Sequence, residues 1–248
     1  MTKEILSENP SRVIYREKDA VCKEFAKDFP KEEVFHEAFI NARAEAVCGP
    51  LVPKVLSVEC EKGKWILRRE YAEGETLEAL MKKHPEKKEE YLQQLVELQT
   101  ALQAHRAPLL EQLKDKMARQ LNELQIDEST RYELLTRLAA MPRHEKLCHG
   151  DLRPANVIVD PEGGFHVIDW VHGTKGNASA DAARTYLILA LEDREGAECY
   201  LDLFCQKTGT KKSYVQDWLP LVAAAQLTKK RPEEEGELRS WLQICDHM

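Results

Sequence analysis

The sequence predicts an α+β protein of two unequal lobes: a small β-rich N-terminal lobe carrying one helix, and a larger, mainly helical C-terminal lobe. Three observations predict it. Short β-branched and aromatic runs crowd the first 74 residues, spaced leucine stripes with charged opposite faces fill most of the rest, and one short hairpin near residues 157–168 interrupts the helical part. A chain of 248 residues, 43% hydrophobic, can build either one large domain or two lobes around a cleft. The boundary is expected between residues 74 and 75, giving lobes 1–74 and 75–248.

In chain order, residues 12–16 and 20–25 read as a strand pair turned by Glu17-Lys18-Asp19. The stretch before them, residues 7–12, reads as a loop that contains no glycine. Residues 31–47 show a helical pattern, with Val34, Phe35, Ala38, Ala42 and Ala46 near three-to-four spacing, and Cys48-Gly49-Pro50 stops it. Two further strands, 52–59 and 64–70, flank Glu61-Lys62-Gly63. Residues 70–77 are then a crossover, with Gly74 at the bend and Thr76 as the cap of the next helix.

Residues 75–146 are almost wholly helical in pattern. After a short helix at 77–83, Pro85 suits the first turn of a helix over 86–105, whose apolar stripe is Tyr91, Leu92, Leu95, Leu98, Ala101 and Leu102. Helices at 109–124 and 129–140 follow. Beyond the hairpin, a Gly-rich polar loop at 172–177 leads into a helix from Ser179 to about Leu191, and 196–206, 211–225 and 232–246 read as three more.

Composition excludes several roles. A net charge of −7 argues against nucleic-acid binding, which leans on Lys and Arg to neutralise phosphates. It is compatible with a cationic small molecule; Glu192, Asp193, Glu198 and Asp202 either meet such a cation or line an exposed helix face. No run approaches the ~20 apolar residues that span a bilayer, and the acid-bearing N-terminus does not read as a secretory signal. Seven irregularly spaced cysteines without a Cys-x-x-Cys pair point to reduced thiols in a cytoplasm. No repeat or low-complexity tract implies a protein partner.

The chemistry-bearing stretch is residues 147–160, Leu-Cys-His-Gly-Asp-Leu-Arg-Pro-Ala-Asn-Val-Ile-Val-Asp, answered by Val167-Ile168-Asp169-Trp170. On the hairpin reading, Asn156 starts the outgoing strand and Asp169 ends the returning one, so the two sit side by side. Asp151 lies on the loop just before. Three such oxygen-bearing side chains suit Mg²⁺ held jointly with substrate phosphates. A tight turn also uses Asp and Asn, to bond its own backbone. The five-residue step from Asp151 to Asn156, with Asp169 beyond, is the more specific signal, because a kinase catalytic loop uses the same spacing.

This His-Gly-Asp…Asn…Ile-Asp-Trp form resembles the aminoglycoside phosphotransferase and choline kinase-like family. The resemblance covers most of residues 12–191 and is strongest at 147–190. It implies a protein-kinase-like two-lobe fold and transfer of the γ-phosphoryl of ATP to a hydroxyl of a small molecule. ATP and that alcohol are the only partners it implies. In that frame Asp151 orients the hydroxyl and accepts its proton, while Asn156 and Asp169 hold Mg²⁺. Lys23 grips the nucleotide phosphates, Glu37 steadies Lys23, and Glu70 and Ala72 of the crossover belong to the nucleotide site. Asp181, which opens Asp-Ala-Ala-Arg-Thr-Tyr, braces the catalytic loop.

Taken without the resemblance, Lys23 and Glu37 are a solvated strand charge and a solvated helix charge, and Glu45 is a rival partner on the same helix. The glycine-free loop departs from the Gly-rich phosphate loop of kinases, which keeps open a module that binds nucleotide without turnover. Gly150, Trp170 and the absence of Ala-Pro-Glu after Asp169 speak against a protein kinase. The acceptor stays open: aminoglycoside, choline-like amine, sugar, amino alcohol or thiamine-type alcohol.

Overall fold

The computed structural model describes residues 3–242. Its elements in chain order begin with β1 (Glu4–Asn9), β2 (Arg12–Glu17), β3 (Ala20–Phe25), α1 (Lys31–Cys48), β4 (Val55–Glu61), β5 (Lys64–Glu70) and β6 (Glu75–Thr76). The chain continues through α2 (Leu77–Lys83), α3 (Lys88–Leu102), α4 (Leu113–Glu123), α5 (Glu128–Ala140), β7 (Lys146–Cys148), β8 (Val157–Val159), β9 (Phe165–Val167) and β10 (Thr174–Gly176). It closes with α6 (Ala178–Glu192), α7 (Arg194–Thr208), α8 (Lys212–Gln216), α9 (Leu219–Leu227) and α10 (Pro232–Leu242). Two compact units result: residues up to Leu80 with Ala155–Gly173, and Met81–Pro154 with residues from Thr174 on. The expected single cut after residue 74 runs differently because β8 pairs with β6, Glu75 opposite Val159 and Thr76 opposite Ile158.

The first unit is built on an antiparallel sheet in the order β1-β2-β3-β5-β4, which puts β3 in the middle. Its pleat sends alternate side chains to opposite faces. Phe25 and Leu67 pack under Val34 and Ala38 of α1, while Cys22 joins Tyr15 and Ile66 on the other face. The fully buried Phe25, Leu67, Val34 and Ile66 side chains each contribute about 1.5–3 kcal/mol. Helix α1 has Glu32 and Glu33 in its first turn and stops at Gly49, whose φ of 59° a Cβ would oppose. Two expectations need correction here. Residues 7–9 are strand rather than loop, on the exposed edge β1 that shows no apolar alternation. The actual turn closes on Asn9, whose Oδ1 accepts from Ser11 N at 3.0 Å, Ser11 Oγ at 2.8 Å and Arg12 N at 3.1 Å. The strand expected from residue 52 starts at Val55, since Pro53 has no N–H to give a ladder.

The second unit is helical. α3 buries Tyr91, Leu92, Leu95, Leu98 and Leu102 as expected, whereas Ala101 lies outside the stripe and Val96 and Gln99 lie inside it. α6 is buried nearly all round and packs against α7 and α9, as a helix without a polar face must. β7 and β10, both expected as loop, pair antiparallel with Cys148 opposite Thr174 and Lys146 opposite Gly176. A Cβ on Gly176 would stand 2.6 Å from Leu113 Cβ, so only glycine passes there. α4 starts at Leu113 rather than residue 109, leaving Leu109 61% exposed. The expected end of the last helix at 246 lies outside the described residues. Among those described, no helix is long and apolar enough to cross a membrane.

Candidate active site

Lys23 occupies the middle of the central strand, opposite Ile14 on β2 and Leu67 on β5, and is 1% exposed. A bare ammonium in that place would be strongly unfavourable. Glu37 answers it, with Nζ donating to Oε1 at 2.6 Å and Oε2 at 2.8 Å, and Asp169 Oδ1 stands 3.6 Å away. Val34 and Ala38 seat α1 on the sheet, and Glu37 falls on that buried face. The rival Glu45 is tied elsewhere: its Oε2 accepts from Val55 N at 3.2 Å.

The β8–β9 register decides how Asn156 and Asp169 relate. Val157 faces Val167, and Ile168 N donates to Asn156 O at 3.0 Å, so Asn156 lies across from the residue just before Asp169. Asp169 is in the left-handed region, φ 62° and ψ 55°, a conformation costing about 1–3 kcal/mol outside glycine. The residues after it hold it there. Trp170 is fully buried, its Nε1 donates to Val167 O at 2.9 Å, and the turn it opens packs on α1. Gly173 lets that turn close, because a Cβ would meet Ile40 Cγ2 at 2.6 Å.

One carboxylate, 31% exposed, and one amide are hard oxygen donors too few to enclose a metal alone. Among the described residues no group of three or more His, Cys, Asp or Glu could hold one either. That donor set fits Mg²⁺, which keeps several waters and takes further oxygens from phosphates. Glu70 and Ala72 lie at the end of β5 and just beyond. The Glu70 carboxylate turns to Lys54, 3.2 Å from its backbone N and 3.4 Å from Nζ, and Ala72 is buried. Gly74 then passes over β8, with φ 133° and Val159 O where its Cβ would be.

In the second unit Asp151 follows Gly150, whose φ of 78° suits glycine and not the arginine of the protein-kinase loop. Gly150 N donates to Asp181 Oδ1 at 2.7 Å, and Asp181 Oδ2 accepts from Gln99 at 3.1 Å and Gln103 at 3.2 Å. Asp181 is thereby the brace of the loop, set in the first turn of α6 behind the cap Asn177. Asp151 N donates to His149 Nδ1 at 3.2 Å. Three cations surround the Asp151 carboxylate: Lys229 Nζ at 3.3 Å and Arg184 at 3.7 Å from Oδ1, and Arg153 at 3.8 Å from Oδ2. Burial, then Arg184, push the Lys229 pKa down to about 8 against the pull of Asp151. Arg184 donates to Gln226, Gln226 donates to Glu234, and Glu234 pairs with Arg231 at 2.7 Å.

The chain matches the model of the phosphotransferase enzyme family over residues 2–218. It belongs to that family. Among solved structures, its fold is similar to a thermostable mutant of aminoglycoside phosphotransferase APH(4)-Ia in ternary complex with AMP-PNP and hygromycin B. That match has a TM-score of 0.72 and 16% identity over 98% of this chain and 91% of that one. Choline kinase LicA from Streptococcus pneumoniae gives a TM-score of 0.68 and 17% identity over 98% and 94%. An aminoglycoside-3'-phosphotransferase of type VIII gives 0.63 and 19% over 92% and 93%. None of the curated protein sequences matches. At such identities the likeness is one of fold, and it bears out the kinase-like α+β expectation.

In this family member two neighbours of Asp151 escape sequence reasoning. Arg184 stands out only as a letter of the Asp-Ala-Ala-Arg motif, and Lys229 sits 78 residues from its partner in an unremarkable tail. Gln99 and Gln103 do leave a signal: two amides four apart beside an apolar stripe need buried partners. Of the four acids that could meet a cationic substrate, all but Glu192 are occupied elsewhere. Asp193 pairs with Lys88 and caps α7, Glu198 pairs with Lys212 at 2.9 Å and Tyr186 at 2.6 Å, and Asp202 pairs with Lys212 at 2.7 Å.

Proposed function

We propose that this chain transfers the γ-phosphoryl group of ATP to a hydroxyl of a small molecule. The observation that carries the reading is the buried Lys23, held by Glu37 at 2.6 Å and reaching Asp169 at 3.6 Å. A lysine so deep in a sheet is stabilised there by its carboxylates and presents a fixed cation to phosphate oxygens. The unit of residues up to Leu80 with Ala155–Gly173 supplies the nucleotide grip, with Glu70 and Ala72 on its crossover, and the other unit supplies the acceptor site and base. Asn156 and Asp169 would hold Mg²⁺, whose charge neutralises the phosphates when bound. The cysteine pattern supports a cytoplasmic setting.

In the reaction, the acceptor oxygen forms a bond to the γ-phosphorus while the bond to the β,γ-bridging oxygen breaks, giving a phosphate ester and ADP. Asp151 orients the hydroxyl and takes its proton, which passes on to solvent. Asp181 keeps the loop of Asp151 in place through Gly150 N. Because the chemistry is mostly positioning and charge neutralisation, few groups suffice.

The test is nucleoside diphosphate release by purified protein, ADP with Mg-ATP or GDP with Mg-GTP, across a panel of alcohols. Acceptor-dependent ADP formation, abolished in Asp151→Asn, is the expected result. Wild-type turnover in that variant would sink the assignment. One feature favours a second reading, binding without transfer: Ser11 N and Arg12 N of the first turn bond Asn9 instead of pointing outward for a phosphate. That reading predicts Mg-ATP binding and no ADP with any acceptor.

A further inference from the structure

We infer that the acceptor is an alcohol carrying an anionic group, bound by Arg184 and Lys229 beside Asp151; this rests on the phosphotransfer reading above. The charge count points there. Arg153, Arg184 and Lys229 all stand on the Asp151 carboxylate, while Arg231 beyond them is met by Glu234 and the charge of Glu233. Three cations thus meet the Asp151 carboxylate, in a chain whose overall charge is −7. Such an excess in a partly desolvated place calls for an anion.

The side chains are built into the fold rather than waving from its surface. Arg184 is 8% exposed on the buried helix α6, and the Lys229 side chain is 20% exposed just after α9. Arg184 Nε is buried with no hydrogen-bond partner among the described residues, so donor capacity remains beside the Asp151 carboxylate. Burial also weakens the hold of Lys229 on its proton, a penalty that a bound anion offsets.

The chemistry of Asp151 gives a second argument. As the base it must present an oxygen to the acceptor hydroxyl, yet Lys229 and Arg184 both lean on Oδ1. An anionic group on the acceptor draws those cations to itself and leaves the carboxylate to the hydroxyl. An ammonium on the acceptor would face repulsion from the same groups.

The experiment uses two matched series with the whole protein and Mg-ATP. Serinol, glycerol, glycerate and glycerol 3-phosphate put an amine, nothing, a carboxylate and a phosphate on one frame. Glucosamine, glucose, glucuronate and glucose 6-phosphate do so on another. Calorimetric binding and kcat/KM are read for each. The expected result is at least roughly tenfold preference for anionic members over amines, in line with a charge-assisted contact, with the carboxylate and phosphate arms telling which anion it is.

Lys229→Gln should then raise KM for the best anionic alcohol by about tenfold while Mg-ATP affinity holds. Lys229→Glu should turn preference toward serinol or glucosamine. Preference for amines, no binding of any anionic member, or loss of Mg-ATP affinity instead of acceptor affinity in Lys229→Gln overturns the proposal. Lys229-dependent binding of an anionic alcohol without ADP formation would leave the anion site standing and remove the phosphotransfer reading.

Discussion

The two charged constellations of this molecule are opposites. In the first unit one cation, Lys23, is shared by two carboxylates, Glu37 and Asp169. In the second, one carboxylate, Asp151, is shared by Arg153, Arg184 and Lys229. Each is buried enough that its surplus charge matters, and the surplus has opposite sign. The first suits a divalent cation arriving with polyphosphate, the second an anion. The sign of the uncompensated charge is therefore a better guide to ligand class than the net charge of the chain, because screening by water erases surface charges and not these.

The contrast can be broken most directly at Asp151. Asp151→Asn should cut transfer by about 10²–10⁴-fold with Mg-ATP affinity intact, measured as single-turnover rate and calorimetric Kd. A parallel fall in nucleotide affinity would merge the two constellations. Next in size is Glu37→Ala, which strands the Lys23 ammonium in the sheet and should destabilise the fold by about 3–5 kcal/mol in denaturant titration. In a double-mutant cycle with Lys23→Ala on kcat/KM for ATP, coupling of about 0.5–3 kcal/mol is expected for Glu37, and near-additivity for Glu45→Ala. Coupling at Glu45 instead would contradict the 2.6 Å pair of Lys23 and Glu37.

Asp169→Ala should weaken Mg-ATP binding more than Asn156→Ala, a carboxylate being the stronger ligand for a hard cation. Equal, undiminished affinity in both removes the cation from the first constellation. The smallest effect is in pH. Lys229, facing Arg184, Asp151 and Arg231, has its pKa lowered to about 8. Only the protonated form attracts an anion, so affinity for an anionic alcohol should be fullest below about pH 8 and fall as pH rises through it. The stability sign is opposite. A lysine whose folded pKa lies below its unfolded 10.5 destabilises the fold while charged, and that penalty fades above about pH 8. A flat binding profile from about pH 6 to 10, or one unchanged in Lys229→Gln, argues against a role for this lysine.

Much of the site is legible because its parts are near in sequence. Asn156 and Asp169 are joined by one hairpin, and β-branched runs around a Gly-rich turn announce its register. Asp181 is recognisable from a motif. Glu37 and Glu45 are not separable by pattern, since both stand on one helix and only its seating by Val34 and Ala38 tells which faces Lys23. The edge strand β1 has no alternation to read, and β7 and β10 are too short for periodicity to register.

By itself the sequence determined the α+β composition, most helices and strands, the hairpin that joins Asn156 and Asp169, and the family, all carried by local spacing and side-chain type. Only the tertiary structure decided the partner of Lys23, the left-handed Asp169 held by Trp170, and the ring of cations at Asp151. The physical reason is that hydrophobic periodicity is written along the chain, whereas an electrostatic environment is summed over space. Lys229 acts on Asp151 from 78 residues away at 3.3 Å, and no local pattern records that.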